Sequence, residues 1–116
     1  MISRPGRQVW AYPQPVHLGR SFDTLFALAR DGLGRDVRDG DVILFVSKRR
    51  HHAKVLLWDG TGLCIYAKRL ERGRFNAPWL TPGAAPWRLT TTELALFLEG
   101  SRVVGHVPLS PPALAR

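Results

Sequence analysis

Few side chains in this sequence are of a type that does chemistry, and their spacing is poor for it. His51 and His52 are adjacent. On a strand they would point to opposite faces, and in a loop they supply only half a metal site. His17 and His106 are far away along the chain. Asp59 and Glu71 are the carboxylates that a metal-dependent nuclease would draw on. Asp59, however, stands in an Asp-Gly turn, where Asp is favoured for its local hydrogen bonds. Cys64 is the single cysteine. Its apolar neighbours suit a buried, inert thiol, and its solitude excludes an internal disulfide or a Cys-rich zinc site. No carboxylate pair, Gly-rich phosphate loop or Ser/His/Asp order is present. These residues argue against an enzyme, a metal site and a cofactor.

The cations are a stronger signal. Seventeen Lys and Arg against nine acids give a net charge of +8 over 116 residues, and the pI is about 11.1. That balance favours anionic partners, nucleic acid first among them. Fourteen of the seventeen are Arg, whose planar fork suits phosphate and base edges. A GC-rich genome would also enrich Arg, but it would not decide where the charges sit. Lys48, Arg49, Arg50 and Lys54 form one cluster. Lys68, Arg69, Arg72 and Arg74, with Glu71 among them, form a second. Together they carry +7, nearly the whole net charge.

These clusters must be positioned by regular elements. Residues 42–46, 54–58 and 63–68 read as three strands, each apolar on both faces rather than alternating. Asp59-Gly60-Thr61-Gly62 joins the last two as a tight hairpin turn. Residues 8–12 are a short strand, expected at an edge because Pro13 and Pro15 follow it. A helix is predicted over 21–32, with Ser21 as N-cap and Gly32 and Gly34 ending it. A second helix is predicted over 90–99, capped by Thr90 or Thr91 with Glu93 in its first turn. Residues 35–41 read as a polar turn. Residues 76–88 read as a loop pinned by Trp79 and Trp87, and 103–107 as a further short strand. Trp58 and Tyr66 are assigned to the core rather than to base stacking.

The expected fold is therefore a small α+β single domain over 1–116, with tails at 1–7 and 108–116 expected to be flexible. Its centre is a three-stranded antiparallel meander, with room for edge strands, packed with two helices. The expected cover of both apolar faces is one helix plus the tryptophan loop on one side and the other helix opposite, with dimerisation through an exposed face as the alternative. The expected cover leaves a monomer or a weak dimer. In such a meander the 48–53 loop and the segment after residue 67 emerge at the same end. Lys48, Arg49, Arg50, Lys54, Lys68, Arg69, Arg72 and Arg74 would then form one basic rim able to reach phosphates. Asp36, Asp39, Asp41 and Asp59 collect at the other end. Two merely solvated basic loops are the plainer alternative. No apolar run exceeds five residues, far short of the ~20 that a membrane-spanning helix needs. The N-terminus has no signal-peptide pattern, so the expected location is the cytosol.

Residues 54–75, Lys-Val-Leu-Leu-Trp-Asp-Gly-Thr-Gly-Leu-Cys-Ile-Tyr-Ala-Lys-Arg-Leu-Glu-Arg-Gly-Arg-Phe, resemble the signature of a known family. It is that of the small TnpB (Orf2) accessory proteins of bacterial insertion sequences of the family numbered sixty-six. These are distinct from the RNA-guided nucleases of the same name. Further matches are Ser21-Phe22-Asp23, and Leu89-Thr90 through Glu93-Leu94-Ala95 to Leu98-Glu99-Gly100. The sequence departs from the family pattern at His17-Leu18-Gly19-Arg20, in the longer 77–88 loop and in the tail past Gly100. The resemblance implies a non-catalytic helper in transposition, working beside an element-encoded transposase. DNA and that transposase are the expected partners. The alternative is a protein–protein adaptor that binds transposase or itself through the apolar sheet and the tryptophan loop, without touching DNA.

Overall fold

Val42–Val46 (β2) reads Val-Ile-Leu-Phe-Val, and all five side chains are buried. Branched and aromatic residues suit a strand. A strand dry on both faces needs cover on both sides of its sheet. The structure, a computed structural model, describes residues 7–17, 19–81, 83 and 87–100. The 103–107 strand, the 108–116 tail and residues 1–6 fall outside them.

The sheet has five strands in the order β4-β3-β2-β1-β5, where β1 is Val9–Ala11, β3 His52–Trp58, β4 Leu63–Arg69 and β5 Arg88–Leu89. β2, β3 and β4 form the expected antiparallel meander. β1 is parallel to β2, with Val9 beside Val42, and antiparallel to β5. The 8–12 strand is thus interior, not at an edge. Its prolines lie beyond the paired residues, and both sides of the chain there are used: Ala11 N–H donates to Trp87 O (3.1 Å) and Tyr12 N–H to Leu44 O (2.8 Å). Among its described residues the 76–88 loop contains one helical turn, Pro78–Leu80, and leads into β5.

Helix α1 (Phe22–Leu33) covers one face, placing Leu25 and Ala29 against Ile43, Phe45 and Leu56. The expected polar turn after it holds a short 3-10 turn, Val37–Asp39, whose Val37 is also in this core. Helix α2 (Thr91–Leu98) covers the other face with Leu94, Phe97 and Leu98, joined by Phe75, Trp87 and half-buried Trp79. The two-sided cover read from the sequence is present. Thr90 Oγ1 accepts from Glu93 N–H (3.0 Å) and Glu93 Oε1 from Thr90 N–H (2.8 Å), a reciprocal cap that also satisfies the buried Glu93 carboxylate. Ser21 occupies the α1 N-cap position with extended backbone, but its hydroxyl makes no cap bond.

Three local expectations are corrected. Gly32 does not end α1. It lies inside the helix, where a Cβ would come within 2.6 Å of the Tyr12 hydroxyl, and Gly34 (φ 65°) terminates the helix instead. Tyr66 is 45% exposed, because β4 is an edge strand and the cover contributed by α2 does not reach it. Cys64 is half-buried. Desolvation and the neighbouring Asp59 push its thiol up from the ordinary value, away from the reactive thiolate.

The turn between β3 and β4 is structural. Asp59 Oδ1 accepts from Thr61 N–H (2.9 Å), Thr61 Oγ1 (3.0 Å) and Gly62 N–H (3.0 Å). These bonds lower its pKa to about 2, and Gly60 follows at φ 103°. A folded-state pKa below the unfolded one means that this stabilisation is complete above pH ~4 and fades as pH falls toward 2. Gly60→Val is expected to cost ~1–3 kcal/mol in urea denaturation, since a branched residue is strained at that φ. Asp59→Asn keeps the acceptor oxygen and is expected to stay folded at pH 7, with a flatter loss of stability between pH 4 and 2.

Candidate nucleic-acid interface

The β2–β3 connection is tight. Ser47 N–H donates to His52 O (3.0 Å) and Arg50 N–H to Ser47 O (2.9 Å). Arg50 closes the turn with φ 64°, the one positive value at a non-glycine among the described residues. This turn is clasped to the chain leaving β4. Leu70 N–H donates to His51 O (2.8 Å) and Phe75 N–H to Arg50 O (2.7 Å). Arg50 Nη1 donates to Phe75 O (3.0 Å), and His51 Nδ1 lies 3.2 Å from Gly73 O, which requires the proton on Nδ1. Phe75 itself is buried and stacks on Phe97 of α2 at 5.2 Å. The two basic segments are therefore neighbours, held to each other and to the core.

The eight expected cations do not play one role. Lys48, Arg49, Arg72 and Arg74 are exposed, and no partner among the described residues engages their heads. Arg50 is half-buried and serves the clasp. Lys54 Nζ donates to Arg20 O (2.8 Å), tying β3 to the start of α1. Arg69 is exposed but pairs with Glu71 at 3.3 Å. Strand alternation divides the rest. Lys54 and Arg69 share the α1 face with Leu56, whereas half-buried Lys68, opposite Ala53, belongs to the α2 face.

An open concavity of about 690 Å3 is lined by Lys48, Arg49, Arg50, His51 and Arg74. Beside it, a groove of about 780 Å3 brings His17 together with Lys48, Arg49, His51 and His52. Nothing in the sequence pointed to His17, since its approach depends on the path between β1 and α1. Among the described residues no group of three or more His, Cys, Asp or Glu could hold a metal ion.

Elsewhere several described arginines are engaged. Arg38 pairs with Asp36 (2.7 Å), Arg30 with Asp31 (2.8 Å) and Arg35 with Asp41 (3.7 Å). The Arg38 guanidinium holds the Asp36 carboxyl below its usual range. Arg35 and Arg88 lie over the Trp10 ring at 4.0 and 5.7 Å, a contact the sequence did not reveal. Pairing cancels charge at the acidic end and leaves it uncancelled at the rim.

The protein is thus a small α+β domain that carries a clasped cationic rim at one end of its sheet. The family model described as "IS66 Orf2 like protein" matches residues 7–106. The chain belongs to that family, which associates it with insertion-sequence transposition. It is 32% identical over 95 residues to the uncharacterized protein y4jC of Sinorhizobium fredii (strain NBRC 101917 / NGR234), covering 82% of this chain and 80% of that one. It is 29% identical over 93 residues to y4hO of the same strain, covering 80% and 79%. No solved structure matches the chain significantly. No helix among the described residues is long and apolar enough to cross a membrane.

The division of roles is testable. Arg50→Ala removes the bond to Phe75 O and keeps a left-handed backbone on a residue with a Cβ, so it is expected to cost ~1–2 kcal/mol in urea denaturation. Arg50→Gly relieves the backbone and should recover part of that loss. Arg49→Ala should stay within ~0.5 kcal/mol of the parent.

Proposed function

We propose that this protein is a non-catalytic accessory factor of transposition that binds DNA through the rim. The observation that carries the reading is the set of four exposed cations, Lys48, Arg49, Arg72 and Arg74, fixed on two clasped segments and without a partner among the described residues. Free cations on a rigid mount suit phosphate contacts, because little order is lost when they bind. Lys54, Lys68 and Arg69 border the rim and would widen the contact on either face. The adaptor alternative relied on open sheet faces and an exposed tryptophan loop. Those faces are occupied by α1 and α2 except at β4, where Tyr66 stays exposed, and Trp87 is buried with Trp79 half-buried. Binding to the transposase–DNA complex is compatible with the same rim.

With four phosphates neutralised, log K for duplex DNA should fall against log salt with a slope of about −3 to −4. Replacing Lys48, Arg49, Arg72 and Arg74 together by Ala should flatten the slope by about 3 to 4 and abolish most binding, with the melting temperature unchanged. Arg50 is left intact in this variant because it holds the loop. Gel shifts on element ends and on random DNA at two salt concentrations measure both quantities. Tight binding that survives the quadruple change would refute the rim.

A further inference from the structure

β4 is the edge of the sheet, and no described residue hydrogen-bonds along its outer side. Two bonds fix which of its backbone groups face outward. Leu70 N–H donates to His51 O (2.8 Å), and Asp59 N–H to Gly62 O (3.2 Å). Both lie in the β3–β4 register, in which His52 faces Arg69 and Trp58 faces Leu63. Hydrogen-bonded pairs alternate along an antiparallel ladder. Cys64, Tyr66 and Lys68 therefore bond to β3, while Leu63, Ile65, Ala67 and Arg69 turn their N–H and C=O groups away from the sheet.

This edge lacks the protection that solitary edges carry. Its charges, Lys68 and Arg69, are confined to one end, and its middle is Ile65, Tyr66 and Ala67. Edges kept from pairing usually carry a charge, a proline or a bulge there. Tyr66 is also one of three large apolar side chains exposed among the described residues.

We propose that β4 pairs antiparallel with β4 of a second copy of this chain, about a two-fold axis at Tyr66, giving a continuous ten-stranded sheet. Among two-fold registers only this one pairs all four outward residues with one another. Leu63 meets the partner's Arg69, and Ile65 meets the partner's Ala67. It sets the two cationic ends ~20 Å apart, six residues at ~3.4 Å each. Each cationic end lies toward the hairpin turn that carries the partner's Asp59, so the charges are complementary. Tyr66 faces the partner's Tyr66 in a non-hydrogen-bonded pair, where Cα atoms approach ~4.5 Å, and the exposed ring gains a partner. Cys64 faces the partner's Lys68. The proposal is independent of the DNA reading, because none of the four free rim cations takes part.

Cysteine placement reads the register directly, since a disulfide needs Cα atoms within ~7 Å. Lys68→Cys should form a covalent dimer with the native Cys64 of the other copy on mild oxidation, seen on a non-reducing gel. Tyr66→Cys in a Cys64→Ser background should do the same, and Ala67→Cys in that background should not. Ala67→Pro deletes an N–H that the fold leaves unused, so it should give a monomer in light scattering with an unchanged circular dichroism spectrum. A parent protein that stays monomeric at high micromolar concentration would overturn the pairing. So would equal cross-linking at all three positions, or a dimer that Ala67→Pro leaves intact.

Discussion

Burial of β2 on both faces is the constraint from which the remaining architecture follows. Val42, Ile43, Leu44, Phe45 and Val46 are each without solvent contact, so the strand must have a neighbour on either side and a layer above and below. β3 and β1 are the neighbours, and α1 and α2 supply the layers. Backbone groups in so dry a strand cannot be left unpaired without a cost of ~1–3 kcal/mol each. That is why the short Val9–Ala11 segment is drawn inside rather than left at the margin. It brings β5 with it, and β5 brings Trp87 over the α2 face.

The same burial explains how charge becomes concentrated. A protein this basic could spread its cations evenly. Here the sheet ends differ because the connections differ. At one end Asp36 and Asp41 absorb Arg38 and Arg35, while the Asp59 carboxylate is taken up by its own turn. At the other, the 47–51 turn and the 70–75 segment satisfy each other through backbone bonds. Their basic heads are released from structural duty, Arg50 excepted. Water-exposed ion pairs contribute little to stability, so the pairing at the acidic end matters more for the shape of the field than for holding the fold.

Much of this was legible in the sequence. The apolar runs fixed β2, β3 and β4, Asp59-Gly60 fixed their turn, and Thr90 with Glu93 fixed the start of α2. Adjacency of the two basic segments followed from hairpin connectivity alone. Illegible were features set by long-range pairing. The parallel register of β1, the exposure of Tyr66 and the approach of His17 depend on which strand ends a sheet and how the chain returns to it. Arg50 could not be separated from Arg49 by type or spacing. Only its left-handed backbone and its reach to Phe75 O distinguish them.

The parallel pairing of β1 with β2 has a kinetic side. β2, β3 and β4 are joined by short turns, and closing such loops costs little entropy. Val9 reaches Val42 only after α1 and the segment behind it have been laid down between them. Contacts of that separation slow folding, because a long loop must close before they form. The meander is therefore the part of the sheet that short turns alone can close, and without β1 its β2 flank would be as open as its β4 flank. β1 is three residues long, yet its pairing with β2 is what leaves the described sheet with a single long edge.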